Sequence, residues 1–293
     1  MTVPLRVLVT GSSGQLGRAL IASVPANVQL RALTRTDLDI GDTVSVHREV
    51  ASFQPDVVIN AAAYTLVDKA ESEVIAAERG NAQGPRNLAL AVCELPHARL
   101  LHISTDFVFD GARSTPYAPE MPAAPLGVYG RTKLLGEQAV LEVLGERALV
   151  LRTAWVYDAA GKNFLRTMLR LMNERGAVRV VADQAGTPTC THSLAEVLWR
   201  FAAHPDLAGV FHWTDAGVAS WYDFAVAIAE EALSAGVLNS MPVITPIATH
   251  EYPTPVRRPA YSVLDKSATH AALGVAAVHW RVRLREVMAQ VRL

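Results

Sequence analysis

The stretch Thr10-Gly11-Ser12-Ser13-Gly14-Gln15-Leu16-Gly17 decides how this chain is read. It follows the apolar run Arg6–Thr10 and leads directly into the helical pattern Arg18–Ser23. A strand that breaks into glycines at this spacing and then opens a helix is the context of a dinucleotide-binding turn. Gly11 permits the tight bend, Gly14 lets the backbone approach a pyrophosphate, and Gly17 lets the helix pack closely on the strand. The free N–H groups and the dipole at the helix start then favour phosphate. The plain alternative is a strand-to-helix turn rich in small residues. The strand before it and the helix after it favour the binding reading.

The second strand ends in Leu33-Thr34-Arg35-Thr36. A carboxylate there would chelate the ribose of NAD, whereas a basic residue accommodates the 2′-phosphate of NADP. Arg35 therefore favours NADPH, while Asp37 and Asp39 follow closely enough to leave NADH open. The competing reading makes Arg35 a solvated loop cation, as most arginines are.

Outward from the turn, Val28–Leu33, Asp56–Asn60, Arg99–Ser104 and Ala148–Arg152 read as further strands, with helix-length segments between them. Alternation of this kind implies βαβ units and a parallel sheet covered on both faces. The near-continuous apolar strands agree with that burial. The expected fold class is α/β, a Rossmann-type doubly wound parallel sheet with a smaller C-terminal lobe. Residues 1–153 form the expected NAD(P)-binding domain. Residues 154–293 form mainly the substrate-binding lobe, with segments near 190–215 returning to the first domain. Helical patterns lie at Asn163–Arg175, Ser193–Ala203, Trp221–Ala235 and His279–Arg292, while Pro242–Pro246 and Tyr252–Pro259 read as loops over a cleft.

The chain has 293 residues, 51% of them apolar, enough for one large core or a core and a lobe without disulfides or metals. Its 27 basic and 28 acidic side chains nearly cancel, so no overall field draws it to nucleic acid or to an anionic membrane. Cys93 and Cys190 form no CxxC pair, and the nine histidines show no metal-ligand spacing. The longest charge-free apolar stretch, Val57–Val67, is too short to span a bilayer. The opening apolar run ends in the glycine turn rather than in a cleavage site, so it reads as a strand and not as a leader. A cytoplasmic enzyme with a small-molecule ligand is the expectation.

Tyr129-Gly130-Arg131-Thr132-Lys133 begins a helical segment, which puts the tyrosine and the lysine on one helix face. A free phenol has a pKa of about 10, and a nearby ammonium stabilises the phenolate and brings its proton within reach at neutral pH. The same Lys133 can hydrogen-bond a nicotinamide ribose. A Tyr-x-x-x-Lys also arises by chance at an exposed helix start. Chain order lifts it above chance here, because Asn60-Ala61-Ala62-Ala63 and Ser104-Thr105-Asp106 each close a strand before it. Ligands of doubly wound sheets sit beyond such carboxyl ends. Thr105 can donate its hydroxyl to a developing oxyanion, and the small Ala62 and Ala63 let a cofactor lie near the backbone. Simple packing explains the alanines equally well.

The GxxGxxG spacing resembles extended short-chain dehydrogenases. Within them the chain is similar to the dTDP-4-dehydrorhamnose reductase family through Asn60–Glu71, Ser104–Gly111, Val128–Lys133, Leu151–Tyr157, Asn163-Phe164, Asp183-Gln184, Gly186–Pro188, Tyr252–Pro255 and Arg258-Pro259. The resemblance implies reduction of the 4-keto group of dTDP-4-dehydro-L-rhamnose by NADPH, with Thr105, Tyr129 and Lys133 as catalytic residues. It implies sugar contacts from Asp106 and Trp155, and a place near the nucleotide for Arg258. Gln15, Leu16, Asp39, Ile40, Ala62 and Ala63 occupy positions that contact the cofactor in similar proteins. Trp155 could equally be a core aromatic.

Some similar reductases dimerise through a magnesium site built from glutamates. The corresponding Gly17-Arg18-Ala19 and Cys190-Thr191-His192 carry no carboxylate, so magnesium is not expected, while a homodimer is left open. Similar dehydratases carry Thr-Asp-Glu where this chain has Phe107, which disfavours elimination. A 4-epimerase, or a noncatalytic NADP-binding subunit like that of methionine adenosyltransferase, is the remaining alternative.

Overall fold

The computed structural model describes residues 3–292. The strands are β1 (Leu5–Thr10), β2 (Val28–Leu33), β3 (Val57–Asn60), β4 (Arg99–Thr105), β5 (Ala148–Thr153) and β6 (Gly209–His212). They form one six-stranded sheet in the order β2-β1-β3-β4-β5-β6, and every neighbouring pair runs parallel. The chain is therefore α/β and Rossmann-type, as expected.

Successive strand side chains point to opposite faces, and here both faces are dry. Val7 and Val9 enter one core layer with Ile59, Leu101 and Leu149, beneath helices α1 (Gln15–Ala22) and α6 (Thr191–Ala202). Leu8, Val58 and Leu100 enter the other. That second layer lies beneath α2 (Thr43–Phe53), α3 (Gly84–Cys93) and α4 (Val128–Leu144). Each fully buried Leu or Val contributes roughly 1.5–3 kcal/mol by leaving water. The layers hold the strand ends rigid, and those ends carry the polar residues.

A second core lies between α5 (Phe164–Arg175), α7 (Trp221–Ser234) and α8 (Trp280–Met288), built on Tyr157, Leu165, Leu169, Phe224, Ile228 and Leu284. Asn163 caps α5 by accepting from Arg166 N, and Ser220 and Asp223 form a capping box on α7. One expectation fails in this lobe. Pro242–Pro246 is not a loop, because Val243–Ile247 is a strand paired in parallel with Ala177–Val181. The pair is only two strands wide, so Pro246 sits on an edge, where a missing N–H costs no ladder bond.

Candidate active site

The glycine turn forms a tight cradle at the carboxyl end of β1. Gly11 has φ +68°, and a Cβ there would lie 2.7 Å from the Ala62 backbone; one at Gly17 would lie 2.4 Å from Gly11 O. Neither position admits a side chain. Gly14, the N-cap of α1, supplies no capping side chain, so the first N–H groups of the helix face outward unclaimed, as a pyrophosphate requires. Gln15 accepts from Asn163 Nδ2 at 2.7 Å, which ties the turn to the second lobe, and Leu16 is buried under the sheet.

At the tip of β2, Asp37 accepts from the backbone and the hydroxyl of Thr34. Asp39 is paired with Arg79 at 2.8 Å. Arg35 is exposed and has no hydrogen-bond partner among the described residues, so it is the group at this strand end ready to meet an anion. Ala62 and Ala63 follow β3, the first half-buried and the second exposed. Ile40 differs, since its side chain belongs to the core layer beside Gly84 and its carbonyl accepts a buried hydrogen bond from Asn87 Nδ2.

Thr105, Asp106, Tyr129 and Lys133 come together where β4 meets the start of α4. Thr105 Oγ1 donates to Asp106 Oδ1 at 3.0 Å and accepts from Phe107 N at 3.2 Å. Its proton is thus turned toward Asp106, and a rotation would redirect it to a substrate carbonyl. Asp106 is buried, and its Oδ2 has no partner. Burial pushes its carboxyl up to about 6 against the hydrogen bonds from Ser262 and Thr105.

Tyr129 departs from expectation. Burial, with a further push from Asp106, raises its phenol to about 12 against a hydrogen bond with Thr105. Lys133 does not counter this, because its Nζ donates to Ile103 O at 2.6 Å and lies 3.5 Å from His102 Nε2. Burial lowers Lys133 to about 8 although Glu137 pulls the other way. The phenol is therefore held protonated, the state a proton donor needs.

A cleft opens from this group between Asp106, Phe107, Trp155, Arg258 and Pro259. Arg258 lies on its wall, paired with Asp68 at 2.8 Å. Trp155 is not a core residue. It has φ +49°, a conformation that costs a non-glycine residue energy, and it stacks on Trp221 at 3.5 Å with rings 5° from parallel. Gly186 makes room for the pair, since a Cβ there would meet the Trp155 ring at 2.5 Å. Trp221 and Ser262 also line the cleft without having been singled out from the sequence, as does Gln184, which was quoted only within a stretch of the resemblance and given no role. Trp221 opens an amphipathic helix, where an aromatic reads as core.

Among the described residues, no three Asp, Glu, His or Cys side chains are grouped as a metal ion would need, and no helix is long and apolar enough to cross a membrane.

A parallel doubly wound sheet with an uncapped glycine turn after its first strand and a Tyr-x-x-x-Lys helix following β4 defines an oxidoreductase of the extended short-chain dehydrogenase class. Comparison with known proteins narrows this. The family described as RmlD substrate binding domain matches residues 5–293, and the chain belongs to it. It is 40% identical over 291 residues to a dTDP-4-dehydrorhamnose reductase of Aggregatibacter actinomycetemcomitans, covering 97% of this chain and 98% of that protein. It is 41% identical over 283 residues to a dTDP-4-keto-6-deoxy-D-glucose reductase of Streptomyces niveus, covering 96% of each. A crystal structure of dTDP-4-dehydrorhamnose reductase from Bacillus anthracis in complex with NADP superposes with a TM-score of 0.92 at 33% identity, covering 98% of this chain and all of that one.

Proposed function

We propose that the chain reduces the 4-keto group of dTDP-4-dehydro-L-rhamnose with NADPH, giving dTDP-L-rhamnose. The observation that carries this reading is the grouping of Tyr129 and Thr105 about Asp106, whose unpartnered buried Oδ2 belongs to a residue on the wall of the cleft lined by Trp155, Trp221 and Arg258. When bound, the reduced nicotinamide supplies hydride to C4. Tyr129 Oη gives its proton to the oxygen of that carbon. Thr105 turns its hydroxyl from Asp106 onto the same oxygen, and Asp106 Oδ2 accepts a sugar hydroxyl in exchange. The stacked Trp155 and Trp221 rings wall the cleft and exclude water. Arg258 faces the nucleotide, and Arg35 receives the 2′-phosphate.

Retention of Thr105, Tyr129 and Lys133 in one group favours an enzyme over a noncatalytic NADP-binding subunit. A 4-epimerase would need a tightly retained nicotinamide, which can be looked for after purification. The reading places the enzyme in the cytoplasm and leaves a homodimer to be decided by light scattering. The test is NADPH oxidation on adding dTDP-4-dehydro-L-rhamnose, with dTDP-4-keto-6-deoxy-D-glucose alongside. We expect faster turnover of the first, and a loss of roughly 10²–10⁴-fold in Tyr129→Phe with NADPH binding retained. No turnover of the first sugar, or equal rates in the variant, would overturn the reading.

A further inference from the structure

A buried polar chain runs beneath the carboxyl edge of the sheet and ends on Lys133. Thr10 Oγ1 donates to Asn60 Oδ1 at 2.7 Å, and Ala62 N donates to the same oxygen at 3.1 Å. Two donors on Oδ1 fix which way the amide points. The Asn60 Nδ2 hydrogens must then face His102 Nδ1, 3.0 Å away, and Nδ1 must accept. A neutral imidazole whose Nδ1 accepts carries its proton on Nε2. His102 is fully buried and held well below its usual pKa, first by burial and then by Lys133. Its Nε2–H therefore points at Lys133 Nζ, 3.5 Å away.

An ammonium has three donors and no acceptor, so Nε2–H and a protonated Nζ oppose each other. The distances agree with that opposition. Nζ closes to 2.6 Å on the Ile103 carbonyl yet stays 3.5 Å from the imidazole. Deprotonated, the amine has a lone pair that accepts from Nε2–H, and the opposition becomes a hydrogen bond.

We propose that His102 is a positioning residue that acts through Lys133: locked by Asn60 as the Nε2–H tautomer, it favours the neutral amine and so keeps the lysine ready to give up a proton. The proposal rests on the reductase reading for its role in turnover. After Tyr129 Oη–H breaks and the proton joins the product oxygen, the phenolate must be refilled. Lys133 Nζ–H supplies that proton and becomes an amine, the Nε2–H of His102 bonds to the new lone pair, and solvent later reprotonates Nζ. No electron transfer is involved.

The other charged or titratable groups around Lys133 are few. Glu137 lies one turn along α4, paired with Arg152 of β5. Tyr129 lies one turn back, Asp106 follows the end of β4, and Glu71 holds the helix start through Val128 N. Glu137 favours the ammonium, whereas His102 presents its Nε2 proton to Nζ.

Two variants separate the effects. His102→Gln can turn its amide oxygen toward Nζ. His102→Asn keeps an acceptor near Asn60 while deleting the Nε2–H. The titration midpoint of Lys133 is read by NMR of the selectively labelled lysine in the free protein, and the alkaline limb of kcat/KM is read with NADPH and the nucleotide sugar. We expect the midpoint and the limb to rise together in His102→Gln by about one pH unit, a tenfold gain in proton affinity, and by less in His102→Asn. Folding is checked by thermal unfolding of each variant. If both variants fold and the Lys133 midpoint stays in place or falls, the proposal is overturned. The NMR midpoint needs no substrate, so a wild type that fails to turn over the sugar would refute the reductase reading while leaving this result decisive.

Discussion

Replacing Glu137 by Gln tests whether the ion pair beneath the candidate site holds α4 to the sheet. Glu137 lies on α4 and Arg152 on β5, with side chains 2% and 6% exposed. The guanidinium meets the carboxylate through Nη2 at 2.7 Å and Nε at 3.0 Å, and its Nη1 donates to Pro119 O at 3.2 Å. Its remaining neighbour, His212, is no substitute anion. Burial and Arg152 depress His212 to about 3, so it stays neutral. Removing one partner of a buried pair costs about 3–5 kcal/mol, because the other charge is left uncompensated. The glutamine keeps a hydrogen-bonding oxygen, which puts the expectation at the lower end, about 3 kcal/mol. For a chain of this length, with an unfolding entropy of about 2 cal/mol/K per residue, that corresponds to a fall in Tm of about 5 °C. Urea unfolding measures the free energy directly. The double variant Glu137→Leu with Arg152→Met should recover most of the loss, since an apolar pair leaves no orphan charge. The same substitution removes the charge that favours protonated Lys133. The alkaline limb of kcat/KM should therefore move down, opposite to its movement in His102→Gln. A Glu137→Gln protein within about 0.5 kcal/mol of wild type, or one whose limb moves up, would refute this account of the pair.

In the proposed reading Asp106 accepts a sugar hydroxyl, most strongly as the carboxylate, and burial raises its carboxyl to about 6. Activity should fall as pH drops through about 6, and Asp106→Asn should lose that acid limb together with much of kcat/KM, read from the pH profile of each protein. Arg35→Ala should shrink the preference for NADPH over NADH, mainly through the KM of NADPH; an unchanged ratio would remove Arg35 from phosphate recognition.

The glycine turn and the Tyr129–Lys133 pair were legible because their geometry is local. A bend needs residues without Cβ, and four residues make one helical turn. The strands were legible because parallel strands buried on both faces are apolar throughout. Val243–Ile247 escaped because two prolines signal a loop wherever the strand is not an edge, and edge position is not a local property. Trp221 escaped because its partner Trp155 is distant in sequence and meets it only once the chain has folded.

The sequence by itself determined the sheet class, the glycine turn and the placing of Tyr129 and Lys133 on one helix face, since backbone conformation and helical spacing write those into neighbouring residues. Only the tertiary structure decided the protonation of the site. The raised phenol, the lowered lysine and the tautomer of His102 depend on burial and on partners from β1, β3, β4 and α4. Desolvation and hydrogen-bond direction exist only once those elements have packed together.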